Sequence, residues 1–276
     1  MRVPHELIRP LLSTRKVLLE RVGRNPQFSH FGEEAVITRL LQTYPQAQRV
    51  AVDLGASDGV EGSNTYKLYK DGWGGLAVEP DPRAFAFLAL ALTGAAGDVG
   101  LARAGVSPDN VVPLLDAHGI PKDFGFLDLD IDGYEYFVLD ALLAEYRPGL
   151  ICLEINEKLP PPINFRVKYD PAWRWRDDEL FGLSIVATDE VARRHGYAIV
   201  EQHYNNAFLV PAEVAGDAAL TPEQAYTEGY VNKADRLERF PWNAQYEALQ
   251  TMTPEEVRDH LARRHPDRVD AYEISW

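Results

Sequence analysis

The feature that most constrains this chain is a series of apolar runs, most of which end in a polar residue. "RVAVDLGASDG" reaches Asp53 and a glycine turn, "GLAVEPD" reaches Glu79, "FGFLDLDID" reaches Asp128 and Asp130, and "GLICLEIN" reaches Glu154 and Asn156. "VGLARAGVS" is a weaker run, and "YAIVEQ" and "NAFLVP" close the series. Helix-like stretches over 62–71, 82–92, 134–145 and 185–195 lie between them. Strands alternating with helices build right-handed βαβ units, so the pattern predicts an α/β fold with a mostly parallel sheet covered on both faces. The last two runs, Tyr197 to Val200 and Ala207 to Val210, predict an antiparallel hairpin at one edge. In such sheets ligands sit beyond the carboxyl ends of the strands, which is where the polar residues collect.

The flanks set the domain plan. Residues 1–46 predict a helical arm, 47–212 the catalytic domain and 213–276 a helical extension, with starts at Thr221-Pro222-Glu223 and Thr253-Pro254-Glu255-Glu256. The stretch 157–182 contains "LPPPINF" and "AWRWRDD", too rich in proline for the sheet, and is expected to be an irregular, lid-like insertion over the site. At 276 residues the chain can bury about 75% of its unfolded surface without staples. The single Cys152 excludes an internal disulfide, reads as inert core and suits a reducing compartment.

The sequence has no apolar run of about 18 residues and no secretory h-region, so a cytoplasmic protein without stable membrane insertion is expected. A formal charge of -14 argues against nucleic acid as the main partner. Residues 1–27 carry six bases against two acids, giving +4 against -18 for the remainder, with Leu7, Ile8, Leu11, Leu12, Leu18 and Leu19 interleaved. The pattern favours an amphipathic helix docked on the chain's own acidic body or a sister subunit over one lying on a membrane. Self-association through the terminal helices, giving a homo-oligomer, is the matching expectation.

The turn Gly55-Ala56-Ser57-Asp58-Gly59 departs from the dinucleotide pattern, because Ser57 stands where a glycine would admit a pyrophosphate and Asp53 and Asp58 add negative charge. A ligand carrying a sulfonium and an ammonium would instead be attracted, by roughly 4 kcal/mol per close charge pair before desolvation. S-adenosylmethionine is such a ligand. Glu79, at the end of the next run, is placed to accept both ribose hydroxyls.

The chain resembles the FkbM family of S-adenosylmethionine-dependent methyltransferases. The resemblance is carried by "FSHFGEEAVITRLL" (28–41), "VDLGASDGVEGSNTYKLYKDGWGGLAVEPDPRAF" (52–85), "FGFLDLDIDGYEYFVLDAL" (124–142), "LICLEIN" (150–156), "FGLSIVA" (181–187), "HGYAIV" (195–200) and "NNAFLV" (205–210). It implies a Rossmann-like class I methyltransferase fold, cofactor contacts from Asp53, Gly55, Ala56, Gly59, Asn64, Thr65 and Glu79, and a sugar or natural-product small molecule methylated on a hydroxyl. Ser57, Asp58, Asp81 and Asp128 complete the candidate cofactor shell. An acid at Asp128 departs from the family's usual pattern.

Several carboxylates in one cleft cost several kcal/mol unless paired, protonated or bound to a cation. An EF-hand fails, since its twelfth position is Leu139 and a strand precedes it. A glycosyltransferase's metal-binding D-x-D remains an alternative, as does a non-catalytic nucleoside-binding protein. Asp132 is expected to be a helix N-cap, with Glu135 as its capping-box partner. Asp128, Asp130, Glu154 and Asn156 are the candidate ligands of a hard divalent cation, Mg²⁺ foremost. Asp130 and His203 are the candidate catalytic residues, His203 as a general base unless it is simply a solvated edge histidine. His30 and Glu33 lie in a segment expected to fold over the cofactor, unless Glu33 and Glu34 simply start a helix. Arg166, Lys168, Trp173, Arg174, Trp175 and Arg176 are expected to form an acceptor-binding lid or a Trp-anchored loop with solvated charges.

Overall fold

The computed structural model describes residues 5–21, 26–44 and 46–276, with side chains from residue 12 onward except Arg21 and the gaps between those ranges. Among the described residues nine strands run in chain order: β1 Val50–Leu54, β2 Gly74–Val78, β3 Val99–Ala102, β4 Phe126–Leu129, β5 Leu150–Glu154, β6 Asn164–Val167, β7 Tyr197–His203, β8 Asn206–Pro211 and β9 Tyr272–Ser275. The α-helices are α1 His5–Arg21, α2 Glu33–Thr43, α3 Tyr66–Lys70, α4 Pro82–Ala91, α5 Val111–Ala117, α6 Glu135–Leu143, α7 Ile185–Arg194, α8 Ala212–Ala215, α9 Pro222–Tyr226, α10 Arg236–Arg239 and α11 Pro254–Arg264. A 3-10 helix spans Pro241–Thr251.

The main sheet has the order β3-β2-β1-β4-β5-β8-β7. The first five strands are parallel, and β8 runs antiparallel to both β5 and β7. From β1 the chain winds outward through β2 and β3, then returns to start the other half at β4. The β1–β4 junction is therefore the switch point at which open α/β sheets leave a crevice. A sheet with this order and one reversed strand, flanked by helices, is a Rossmann-like class I methyltransferase fold.

Alternation sorts the strand residues into two cores. Val52, Leu54, Leu127, Leu129, Ile151 and Leu153 face one side and pack with α5, α6 and α7. Ala51, Ala77, Phe126, Leu150, Cys152 and Phe208 face the other, with Phe28, Ile37, Tyr66, Tyr69 and Leu88. Each fully buried leucine or phenylalanine stabilises by about 1.5–3 kcal/mol, enough to hold Asp53 and Asp128 at the rim of the second face. "FLDLDIDGYE" is thus a central strand with Leu127 and Leu129 in one core and Asp128 turned toward the other.

The arm docks on its own body. Ser13 donates to Asp58 at 2.6 Å, and Lys16 pairs with Glu61 at 2.8 Å and donates to the Phe28 carbonyl. The arm residues Arg2, Leu7, Ile8, Arg9, Leu11, Arg21 and Arg24 fall outside the described side chains. No helix among the described residues is long and apolar enough to cross a membrane.

Three expectations change. The 157–182 insertion is not wholly irregular: β6 pairs antiparallel with β9 at the chain's end, and Leu159, Phe165, Val167 and Leu180 share a third core with Tyr246, Leu249, Val257 and Leu261. The extension therefore carries a strand as well as helices, although both of its threonine starts form capping boxes. The helix expected over 62–71 shrinks to α3, because Asp58 accepts the Val60 and Glu61 amides and Ser63 those of Thr65 and Tyr66, holding the preceding residues in turns.

Candidate active site

Backbone approach defines the crevice. Gly55 has φ +108, and a Cβ there would lie 1.7 Å from the Asp130 carbonyl oxygen, so only glycine lets the turn after β1 touch the loop after β4. Ser57 takes φ +50, a left-handed conformation uncommon outside glycine, and its amide donates to Glu79 at 2.8 Å. The other Glu79 oxygen accepts the Asp81 amide at 2.7 Å. Both ends of that carboxylate are thereby fixed at the end of β2.

Behind the turn, Thr65 donates to Asp53 at 2.5 Å and Asn64 donates to Asp128 at 3.1 Å. Asp53 and Asp128 are cross-strand neighbours on one face, buried at 4% and 7% exposure. Burial pushes Asp53 up to about 7, with Thr65 opposing and Asp130 and Glu79 adding to the rise. Burial also lifts Asp128 well above the carboxylate range, reinforced by Asp53 and Asp130. The Asn64 side-chain oxygen is a buried acceptor with no hydrogen-bond donor among the described residues.

On the other side of the switch point the acids face one another. One carboxylate oxygen each from Asp130, Asp132 and Glu154 lie within 4.8 Å of each other. Glu154 accepts from Asn205 at 3.1 Å through one oxygen, while the other is buried with no hydrogen-bond donor among the described residues. Burial drives Glu154 well above its usual range, helped by Asp130, Asp132 and Glu135. Asp132 reaches the surface, but protein crowds most of its surroundings, and that desolvation with Asp130 and Glu135 raises it to about 8.

The expected shell divides. Gly55, Ser57, Asn64, Thr65 and Glu79 converge with Asp53 and Asp128 at the turn, with Ala56 and Gly59 in its backbone. Gly59 has φ +74 and lies against Leu88. Asp58 and Asp81 instead spend their carboxylates on capping: Asp58 on Val60, Glu61 and Ser13, Asp81 on the first amides of α4. Asn156 is fully buried, its amide donating to the Glu179 and Phe181 carbonyls and its oxygen accepting from Lys158, so it staples a loop. Asp128 sits with Asn64 and is not part of the triad.

Asp132, expected as an N-cap, joins the triad instead. It has φ +54; the residue preceding α6 is Tyr134, and Glu135 turns back to accept the Ile131 and Gly133 amides itself. A D-G pair's tolerance of left-handed turns was the signal that could have shown this. His203 holds the Phe31 carbonyl at 3.0 Å through Nε2, which must then carry the proton and leaves Nδ1 as the basic nitrogen. His30 and Glu33 sit on the segment leading into α2, where Glu33 accepts the Phe31 amide. Arg166 is tied to Glu190 and Glu273, Arg176 to Asp267, and Trp173 donates to the Asp132 carbonyl at 3.0 Å. The insertion is therefore anchored on the loop that carries Asp130 and Asp132.

No protein-family profile matches the chain, and no curated protein matches its sequence. Among solved structures it is similar to the small RNA methyltransferase HEN1, with 12% identity and a TM-score of 0.44 over 72% of this chain but 28% of that one. It is also similar to the S-adenosylmethionine-bound amino pentose methyltransferase of calicheamicin biosynthesis from Micromonospora echinaspora, with 16% identity and a TM-score of 0.39 over 70% and 94% of the two chains. A third is an S-adenosylmethionine-dependent methyltransferase from Clostridium acetobutylicum, with 9% identity and a TM-score of 0.42 over 72% and 97%. At these identities and scores the fold assignment rests on strand order and direction, and the FkbM resemblance rests on the motifs alone.

Proposed function

We propose that the protein is an S-adenosylmethionine-dependent methyltransferase of the FkbM type that methylates a hydroxyl on a sugar or natural-product small molecule. One observation carries the reading: an acidic residue fixed at the end of β2 faces a glycine turn at the sheet's switch point, beside two buried aspartates. The residues fit the cofactor. Glu79 is held by two amides at the end of β2, the place from which a carboxylate accepts ribose hydroxyls in nucleotide-binding folds. The Asn64 oxygen suits the amino group of the methionine part, and Asp53 and Asp128, whose carboxyls burial holds toward the protonated form, would ionise as a cation settles beside them.

When bound, the cofactor supplies an electrophilic methyl group and a neutral thioether leaving group. The chain's part is to line up the acceptor oxygen with that methyl and to take its proton. Asp130 of the triad is one proton acceptor, and the basic nitrogen of His203 is the other candidate. The triad also fits a hard cation, because Glu154 has a buried oxygen without a hydrogen-bond donor among the described residues and brings a carboxylate oxygen within 4.8 Å of one from each of Asp130 and Asp132. Asp130, Asp132 and Glu154 would hold Mg²⁺, replacing the Asp128 and Asn156 of the sequence-based set, and the ion would lower the acceptor hydroxyl's pKa.

S-adenosylhomocysteine at 100 times its dissociation constant should raise stability by about 2.7 kcal/mol. A thermal melt checks this. No shift at millimolar ligand, with a shift produced instead by a nucleotide-sugar and Mn²⁺, would overturn the reading in favour of glycosyl transfer. Mg²⁺ added alone should raise the melting temperature of the wild type and not of Glu154→Gln.

A further inference from the structure

A recess of about 290 Å³ opens beside the triad, between the 157–182 insertion and the 3-10 helix of the extension. Trp175 and Asp177 form one wall, Trp242, Gln245 and Tyr246 the other, and Lys158 lines it as a buried base. Two large indoles are held open to solvent there, Trp175 at 38% and Trp242 at 55% exposure. Neither is loose. The Trp175 indole donates to the Asp178 carbonyl at 2.9 Å and lies 5.6 Å from Phe181, and Trp242 meets Phe240 edge-on at 5.6 Å.

Lys158 lies 3.4 Å from Glu157 and 4.2 Å above the Phe181 ring, which fixes its ammonium at the recess. Asp177 and Lys158 both act electrostatically on Asp132, so the recess adjoins the triad. The lining combines two indoles with one ammonium, an amide, a phenol and two aspartates, Asp177 and Asp178. That mixture of donors and acceptors matches a ring bearing several hydroxyls better than a single anion or cation. Aromatic faces, negative at their centres, suit the C–H face of such a ring. The volume lies at the small end of the ~300–1,000 Å³ usual for ligand sites, which suits one ring and not a whole macrocycle.

We infer that this recess is the acceptor's seat and that its occupant is a glycosyl ring, held between Trp175 and Trp242 with its hydroxyls on Lys158, Asp177 and Gln245. The inference builds on the proposed methyl transfer, but the binding itself is testable without it.

Saturation-transfer NMR with methyl β-D-glucopyranoside, methyl α-L-rhamnopyranoside and methyl β-D-xylopyranoside at millimolar concentration should mark ring protons on the full-length wild type. Trp175→Ala and Trp242→Ala should each bind about tenfold more weakly, Trp175→Phe should recover most of the signal, and the melting shift with S-adenosylhomocysteine should stay as in the wild type. Glycosides that bind both alanine variants as well as the wild type overturn the inference. So does the absence of any glycoside signal on a protein that S-adenosylhomocysteine stabilises. Glycoside binding with the expected losses, on a protein that ignores S-adenosylhomocysteine, supports the recess and removes the methyl-transfer reading.

Discussion

Glu79 and Glu154 end neighbouring halves of one sheet, yet their surroundings treat them oppositely. Glu79 receives two backbone amides from a turn shaped to present them. Glu154 receives one side-chain amide, its other oxygen has no hydrogen-bond donor among the described residues, and two further carboxylates lie within 4.8 Å of it. A carboxylate satisfied by N–H groups keeps its charge cheaply, whereas one facing its own kind must be protonated or neutralised by a cation. On the proposed reading the β1–β2 half would receive the cofactor's ribose as it stands, whereas the β4–β5 half would need a proton or a metal to complete it.

Four measurements would break or sharpen that contrast. The largest effect is expected from Gly55→Ala, which drives a Cβ into the Asp130 carbonyl and forbids φ +108. It should cost about 3 kcal/mol or more in urea denaturation, and an unchanged midpoint would show that the two halves are not in contact. Second comes pH. Asp53 has an ordinary pKa of 3.8 and is raised to about 7, so between these values the folded chain holds a proton that the unfolded chain releases. Stability should fall as pH rises through that interval, by at most about 1.4 kcal/mol per unit for this group. Urea midpoints from pH 5 to 8 would test it, and Asp53→Asn should flatten the slope.

Third, Glu79→Gln should weaken S-adenosylhomocysteine binding by about 1.5–3 kcal/mol in calorimetry while leaving the fold intact. Equal affinity would move the ribose contact elsewhere. The smallest and most diagnostic change is Glu154→Gln. Removing one of three crowded carboxylates should stabilise the metal-free protein by about 1 kcal/mol at pH 8. Destabilisation there would mean that the triad is satisfied internally, and the two halves would then be alike.

Much of the first half was legible in the sequence. Glycine, serine and acid at fixed offsets after a β-branched run have few backbone solutions, so Gly55, Ser57 and Glu79 fell where the spacing put them. The second half was less legible. A carboxylate in a helix-start pattern reads the same whether it caps or coordinates. Only the left-handed turn at Asp132, with Glu135 taking the amides, turned it toward Glu154. Asn156 was misleading for the same reason, since its amide found carbonyls 23 and 25 residues away.

By itself the sequence determined the sheet, its alternation and the gathering of acids at one rim, because period-two burial and glycine turns are local constraints. Tertiary structure decided which acids meet, that the proline-rich insertion would pair its β6 with the chain's last strand, and that Trp175 and Trp242 would flank one recess. Those contacts join residues far apart in the chain. Nothing local specifies them; they follow from which surfaces remain to be buried once the sheet has formed.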